Sequence, residues 1–190
     1  MLPSRALALN ASFATRRLRI EPLLADHAPL LFEGLQHPAI YQWISSSPPL
    51  SVDTLAAALR KKEARLSPDG KSAWLAWAVL SADGLIGKLD AEVTRDDVAT
   101  NVGFLFFPAY WGLGFATEAV SALAEHLRSL GVSEQRATVT VGNGASARVL
   151  ERASFRKTAI LRANDVIRGV ACDDMLYVLR SSPRAACEDE

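Results

Sequence analysis

The sequence predicts an α+β fold of a single domain, in α/β/α layers: a mixed, mostly antiparallel sheet of six to seven strands, about four flanking helices, and one parallel strand pair splayed apart. Three observations carry this. Trp74–Leu80, Leu85–Val93 and Val102–Phe107 are apolar runs separated by Ala82-Asp83-Gly84 and Arg95-Asp96-Asp97, which reads as an antiparallel meander. After Pro108 come two glycines, Gly112 and Gly114, and then Ala119, Val120, Leu123 and Leu127 at helical spacing. A further β-rich run, Arg136–Val141, follows that helix. A strand–helix–strand crossover needs parallel neighbours, and two parallel strands that each end at a helix N-terminus can part to form a cleft.

The remaining elements follow in order. Residues 1–14 read as a ragged lead-in, with Arg5, Arg16, Arg17 and Arg19 and no acidic residue before position 20; a transit peptide is the alternative. Thr15 to Glu21 reads as a first strand, closed by Pro22. Asp26 precedes an amphipathic helix through Leu30, Leu31 and Leu35, and Ala39 to Ile44 forms a short helical piece carrying Tyr41 and Trp43. Ser51 or Asp53 can cap a helix whose Leu55, Ala58, Leu59 and Leu66 face inward. Gly131 ends the helix Thr117–Leu130, Gly142 to Ser146 opens another, and Phe155–Leu161 and Asp174–Leu179 are the last strands. The domain is expected over residues 15–180, with a polar, flexible tail over 181–190.

Composition narrows the function. With 190 residues, 49% hydrophobic and 22% charged, the chain has enough apolar residues for one real core. Lys+Arg 21 against Asp+Glu 21 leaves no net charge, which argues against bulk binding to nucleic acid or to an anionic membrane. No apolar run approaches the roughly 18 residues that span a bilayer. Cys172 and Cys187 have no metal-ligand spacing, and His27, His37 and His126 form no metal set, so no metal is expected and a reducing cytoplasm suits the chain.

Strand, glycine turn and helix N-terminus in succession offer free backbone N–H groups and the positive end of a helix dipole to an anion. A phosphate is the natural guest; the plainer alternative is a tight turn that only reverses the chain.

Three stretches together resemble the GNAT N-acetyltransferases, and within them the group similar to the ribosomal-protein N-terminal acetyltransferases RimJ and RimL. Trp111-Gly112-Leu113-Gly114-Phe115-Ala116-Thr117-Glu118-Ala119 resembles the family's acetyl-CoA pyrophosphate loop, with Trp111 where many members have Arg or Gln. Asn143-Gly144-Ala145-Ser146, followed by Val149-Leu150, resembles its second cofactor motif. Arg168-Gly169 through Asp174 to Tyr177 resembles its last-strand pattern. The match runs in element order over about 15–180. It implies an acetyl-CoA-dependent N-acetyltransferase, monomeric or homodimeric, acting on a peptide N-terminus or a small-molecule amine. Backbone from Gly112 to Thr117 would hold the pyrophosphate. The pantetheine arm would pair with backbone of Phe104, Leu105 and Phe106. Asn143 would bond the pantetheine amides, and Ser146 would donate toward the departing sulfur. Val149 and Leu150 are expected mainly in the core.

One departure bears on mechanism. Asn101 stands where many members carry Glu, and an amide cannot accept the amine proton. Glu92 on the neighbouring strand and Asp165 before the last strand are candidate substitutes, although each reads more simply as a solvated surface carboxylate. Loss of that base favours a low-pKa acceptor, since at neutral pH an α-amine costs about 1 kcal/mol to deprotonate and a lysine roughly 4–5. Acceptor contacts are expected from Tyr41, Trp43, His37 and Asn101, and from the loop 162–170. Two other functions compete. In a dinucleotide oxidoreductase, Gly112-x-Gly114 would need a third glycine where Thr117 stands, and an acidic residue after Val141. A non-catalytic acyl-CoA sensor of the same fold is consistent with the missing base.

Overall fold

The computed structural model describes residues 1–180; the tail expected over 181–190 lies outside them. Its elements are α1 (Pro3–Leu9), β1 (Phe13–Ala14), β2 (Arg19–Pro22), α2 (Ala28–Leu35), α3 (Val52–Lys62), β3 (Ser72–Ser81), β4 (Gly84–Thr94), β5 (Val98–Phe106), α4 (Phe115–Ser129), β6 (Glu134–Thr140), α5 (Gly144–Arg152), β7 (Arg156–Ile167) and β8 (Val170–Arg180), with short 3-10 turns at Ala25–His27, Pro38–Gln42 and Pro108–Tyr110. One eight-stranded sheet runs β1-β2-β3-β4-β5-β6-β8-β7. The meander β3-β4-β5 is antiparallel, and β5-β6 is the parallel pair that the crossover through α4 requires.

Both faces of the sheet are covered. Trp77, Leu89, Leu123, Leu127, Leu150, Phe155 and Tyr177 fill the larger core, beneath α4, α5 and α1. On the other face α2, α3 and the 3-10 turn before Trp43 close over Ala76, Ala78 and Phe107. Gly34 allows α2 to approach closely there, because a Cβ at that position would stand 2.4 Å from the Phe107 ring. Among the described residues no helix is long and apolar enough to cross a membrane.

The structure corrects four expectations. Residues 1–14 are not a ragged lead-in: α1 buries Ala6 and Leu9 completely, Asn10 Nδ2 donates to the Ala76 carbonyl, and Trp77 Nε1 donates to the Ala11 carbonyl. Thr15–Glu21 is a turn and a strand, because Thr15 Oγ1 accepts from Leu18 N–H and folds β1 back on β2. The helix from Ser51 stops at Lys62; Arg65 adopts φ 58°, and Leu66 bridges Ala73 instead of facing inward from a helix. Segment 162–170 is not a loop. It is the end of a hairpin that turns at Arg168 and Gly169, both at positive φ. The split of the first strand into β1 and β2 makes eight strands, where six to seven are expected.

Candidate active site

β5 and β6 pair only at Val98↔Glu134 and Ala99↔Gln135. Beyond Ala99 the two strands diverge, one toward α4 and the other toward α5. A cleft of about 350 Å³ opens between them, walled by Phe104, Leu105 and Phe106 on one side and by Asn143, Ser146 and Val149 on the other, with Ala39 to Ile44 across its top. Two helix N-termini thus face one cavity.

The α4 terminus leaves backbone N–H groups free. Gly112 (φ 76°) and Gly114 (φ 81°) hold conformations that L side chains rarely adopt, and Gly114 is the N-cap. The first intrahelical bond runs from Glu118 N–H to the Gly114 carbonyl, so the N–H groups of Phe115, Ala116 and Thr117 have no partner within the helix. Trp111, Gly112, Gly114, Ala116 and Thr117 line the cleft. Leu113 and Phe115 do not. The Leu113 carbonyl accepts from Arg17 Nη1, and the Phe115 ring packs edge-on to Tyr110 beneath the Arg17 guanidinium.

Glu118 fixes that first turn to the N-terminal segment. Its carboxylate accepts from Thr15 Oγ1 (2.6 Å), Arg17 N–H (3.1 Å) and Arg17 Nε (2.6 Å). Burial pushes this carboxyl up, but those hydrogen bonds and the Arg17 charge outweigh it and hold the pKa below the ordinary glutamate value.

Strand alternation decides which backbone groups face the cleft. Phe107 N–H donates to Ile86 in β4, so Leu105 also points its N–H and carbonyl toward β4, while Phe104 and Phe106 point theirs toward the splay. Trp111 Nε1 takes up the Phe106 carbonyl at 2.7 Å. What remains for an extended ligand is Phe104 N–H, the Phe104 carbonyl and Phe106 N–H.

Across the cleft, Asn143 caps α5: its Oδ1 accepts from Ser146 N–H at 3.1 Å. The cap fixes the amide orientation and leaves Nδ2 to donate. Ser146, one turn along, lines the cavity beside Ala145. Val149 lines it as well, whereas Leu150 is fully buried in the core. Arg148 and Arg152, on the same helix, add positive charge to this wall.

The acceptor-side candidates divide. Trp43 lines the cleft, but Tyr41 does not: it is 9% exposed, its hydroxyl donates to the Leu35 carbonyl, and burial raises its pKa. His37 is exposed and caps the following turn, with Nδ1 accepting from Ala39 N–H. Glu92 accepts from Ser72 Oγ at 2.7 Å and lies directly opposite Asn101 on β5; neither lines the cleft. Asp165 sits on β7 opposite Cys172 and accepts from Val166 N–H.

A second cavity, of about 410 Å³, lies between Gln42 and Trp43, Thr140 and Val141, and the β7–β8 hairpin at Ile167 and Ala171–Asp173. Trp43 borders both cavities. Its ring packs over Gly142, where a Cβ would come within 3.0 Å of Cη2, and Arg168 Nη2 donates to the Tyr41 carbonyl to hold the hairpin against this turn. The expected acceptor segment 162–170 reaches this cavity through Ile167, whereas Thr140 and Ala171–Asp173 were missed, since they join it only through the packing of β6 and β8 against the Pro38–Gln42 turn. Among the described residues no group of His, Cys, Asp and Glu is placed to hold a metal ion.

A splayed parallel pair with two helix N-termini on its cleft is the architecture of a GNAT-type transferase. The family model described as an acetyltransferase (GNAT) domain matches residues 17–156, and the chain belongs to that family. An uncharacterized N-acetyltransferase, p20 of Bacillus licheniformis, is 25% identical over 167 residues, covering 87% of this chain and 93% of the relative. The fold is shared with the ribosomal L7/L12 α-N-protein acetyltransferase RimL in complex with coenzyme A (TM-score 0.77, 18% identity, 87% of this chain and 95% of that one). It is shared too with the ribosomal-protein-S5-alanine acetyltransferase of Vibrio fischeri (TM-score 0.79, 16% identity, 91% and 98%).

Proposed function

We propose that this protein transfers the acetyl group of acetyl-CoA to a primary amine by direct attack within a ternary complex. The convergence of both helix N-termini on one cleft carries the reading. The pyrophosphate would lie on the N–H groups of the α4 first turn, with Arg148 and Arg152 adding charge to the opposite wall. The pantetheine arm would add to β5 as a strand, using the Phe104 and Phe106 groups that face the splay, while Asn143 Nδ2 donates to a pantetheine carbonyl. An N–H of this strand would stabilise the oxyanion formed as the amine attacks. The Ser146 hydroxyl would protonate the departing thiolate.

No carboxylate lines the cleft among the described residues. An α-amine suits such a site, needing about 1 kcal/mol for deprotonation at neutral pH against roughly 4–5 for a lysine side chain. The two solved relatives are a ribosomal L7/L12 α-N-protein acetyltransferase and a ribosomal-protein-S5-alanine acetyltransferase, which supports a peptide N-terminus or a comparable small amine as acceptor, in a cytoplasmic setting.

The test is CoA thiol release from acetyl-CoA against peptides of varied N-terminus, polyamines, aminoglycosides and amino acids, with CoA affinity titrated in parallel. Release with α-amines ahead of lysine side chains is expected. The carboxylate-free cleft also suits an acyl-CoA sensor, and tight binding with no release from any amine would establish that reading instead.

A further inference from the structure

Asp174, on β8, is 4% exposed, and its carboxylate is only half used. Oδ2 accepts from Asn164 Nδ2 at 2.8 Å, whereas Oδ1 is sealed from solvent and has no hydrogen-bond partner among the described residues. A buried carboxylate oxygen without a donor is costly to keep. Its surroundings contain a donor within reach.

Directly across the strand pair stands Thr140, on the same face of the sheet. Cross-strand partners of this kind hold their Cβ atoms about 4.5–5.5 Å apart. The Thr140 hydroxyl makes only a long, 3.4 Å contact to the Trp43 carbonyl, at the weak limit for a hydroxyl donor. A shift of the Thr140 side chain toward its cross-strand partner would bring that proton to Asp174 Oδ1. Thr140 also lines the second cavity, and Trp43 separates that cavity from the cleft. Thr140 therefore stands near the boundary of the two spaces. Around Asp174 the partners are neutral: Leu161 and Asn164 on β7 and Thr140 on β6. The neighbouring Asp173 is engaged by Arg162 and by Ala163 N–H, and no ion pair reaches Asp174 among the described residues.

We infer that Thr140 and Asp174 form a proton relay for an amine seated in the second cavity, with Asp174 a positioning residue that acts through the threonine. The inference rests on the acetyl-transfer reading above. As the amine nitrogen attacks the thioester carbon, the C–N bond forms and the C–S bond breaks with its electron pair on sulfur. The surplus proton on nitrogen passes to Thr140 Oγ1, whose own proton moves to Asp174 Oδ1. Once the product leaves, Asp174 returns that proton through Thr140 to solvent in the second cavity. The thiolate takes its proton from Ser146, which is restored from solvent, so no other reactant is consumed.

The experiment compares wild type with Asp174→Asn, Thr140→Val and Thr140→Ser in the full chain. CoA release is followed with a peptide α-amine and with an amine of higher pKa, and CoA affinity is titrated for every variant. Asp174→Asn and Thr140→Val are each expected to lower kcat about 100-fold or more. The KM for acetyl-CoA and the CoA affinity should stay within about twofold, which separates chemistry from binding. The loss should be larger for the higher-pKa amine, and Thr140→Ser should keep most of the rate. Unchanged kcat in both variants would overturn the relay while leaving acetyl transfer intact. So would losses equal for every amine and matched by weakened CoA binding, which would mark a structural role. A wild type that binds CoA but acetylates no amine would overturn the transfer reading, and the relay with it.

Discussion

Replacing Glu118 by Gln tests whether the N-terminal segment holds the glycine turn before α4 in place. The substitution keeps the shape but removes the charge that Thr15 Oγ1, Arg17 N–H and Arg17 Nε address. Each hydrogen bond to a charged group is worth about 1.5–3 kcal/mol, yet exposed ion pairs deliver only about 0–1. The Glu118 and Arg17 side chains are 21% and 34% exposed, so screening is substantial, and the amide can still accept from Thr15 or from the Arg17 backbone. A net loss of about 1–2 kcal/mol at pH 7 is expected, measured by urea denaturation. Because the folded carboxyl is held below its unfolded value of about 4.3, its contribution is complete above that pH and disappears as pH falls through the lowered folded value. The gap between wild type and Glu118→Gln should therefore close in acid. CoA affinity should fall about three- to tenfold as the first turn of α4 loosens. A stability gap that persists undiminished well below pH 4, or a change under about 0.3 kcal/mol at pH 7, would refute the reasoning.

Gly142→Ala forces a side chain onto φ 102° and within 3.0 Å of the Trp43 ring; it should cost about 1–3 kcal/mol and raise the KM for the acceptor more than that for acetyl-CoA, which steady-state kinetics would show. Asn143→Ala removes the α5 cap and the free amide donor together, so a stability loss near 1 kcal/mol and weaker CoA binding should appear in one variant by thermal melt and calorimetry. Leu9→Ala opens a cavity where α1 meets the core and should cost about 2–5 kcal/mol, whereas a neutral result would mean that α1 is dispensable.

The meander and the crossover were legible because their residues alternate or repeat at helical spacing against a buried surface. β4 shows this directly, burying Leu89, Ala91 and Val93 while Lys88, Asp90 and Glu92 point away. The glycine turn before α4 and the cap of α5 were legible because Gly112, Gly114 and Asn143 meet local backbone demands. β7 was only half visible: it is an edge strand exposed along most of its length, so no buried face imprints a pattern on Arg162-Ala163-Asn164-Asp165. α1 was missed for a different reason. Two buried residues, Ala6 and Leu9, hold it, too few for a periodic signal in a seven-residue helix. The acceptor side was least legible, since Trp43, Thr140 and Ala171 meet only through the curl of the final hairpin toward the Pro38–Gln42 turn.

Two residue pairs stitch β5 to β6, so the sheet is two leaves sharing a short spine. The shared core beneath α4 and α5 holds the leaves on one face, while on the other side of the spine their backbones stand apart. An extended ligand bonded to Phe104 and Phe106 on one leaf and to Asn143 on the other would behave as a removable ninth strand. Amide protons of Phe104 and Phe106 would then exchange slowly only in the loaded protein. Occupancy at 100 times Kd would add about 2.7 kcal/mol of resistance to unfolding. The lifetime of the polypeptide against proteases would thus follow the supply of that ligand, with molecules in ligand-poor conditions the first to be degraded.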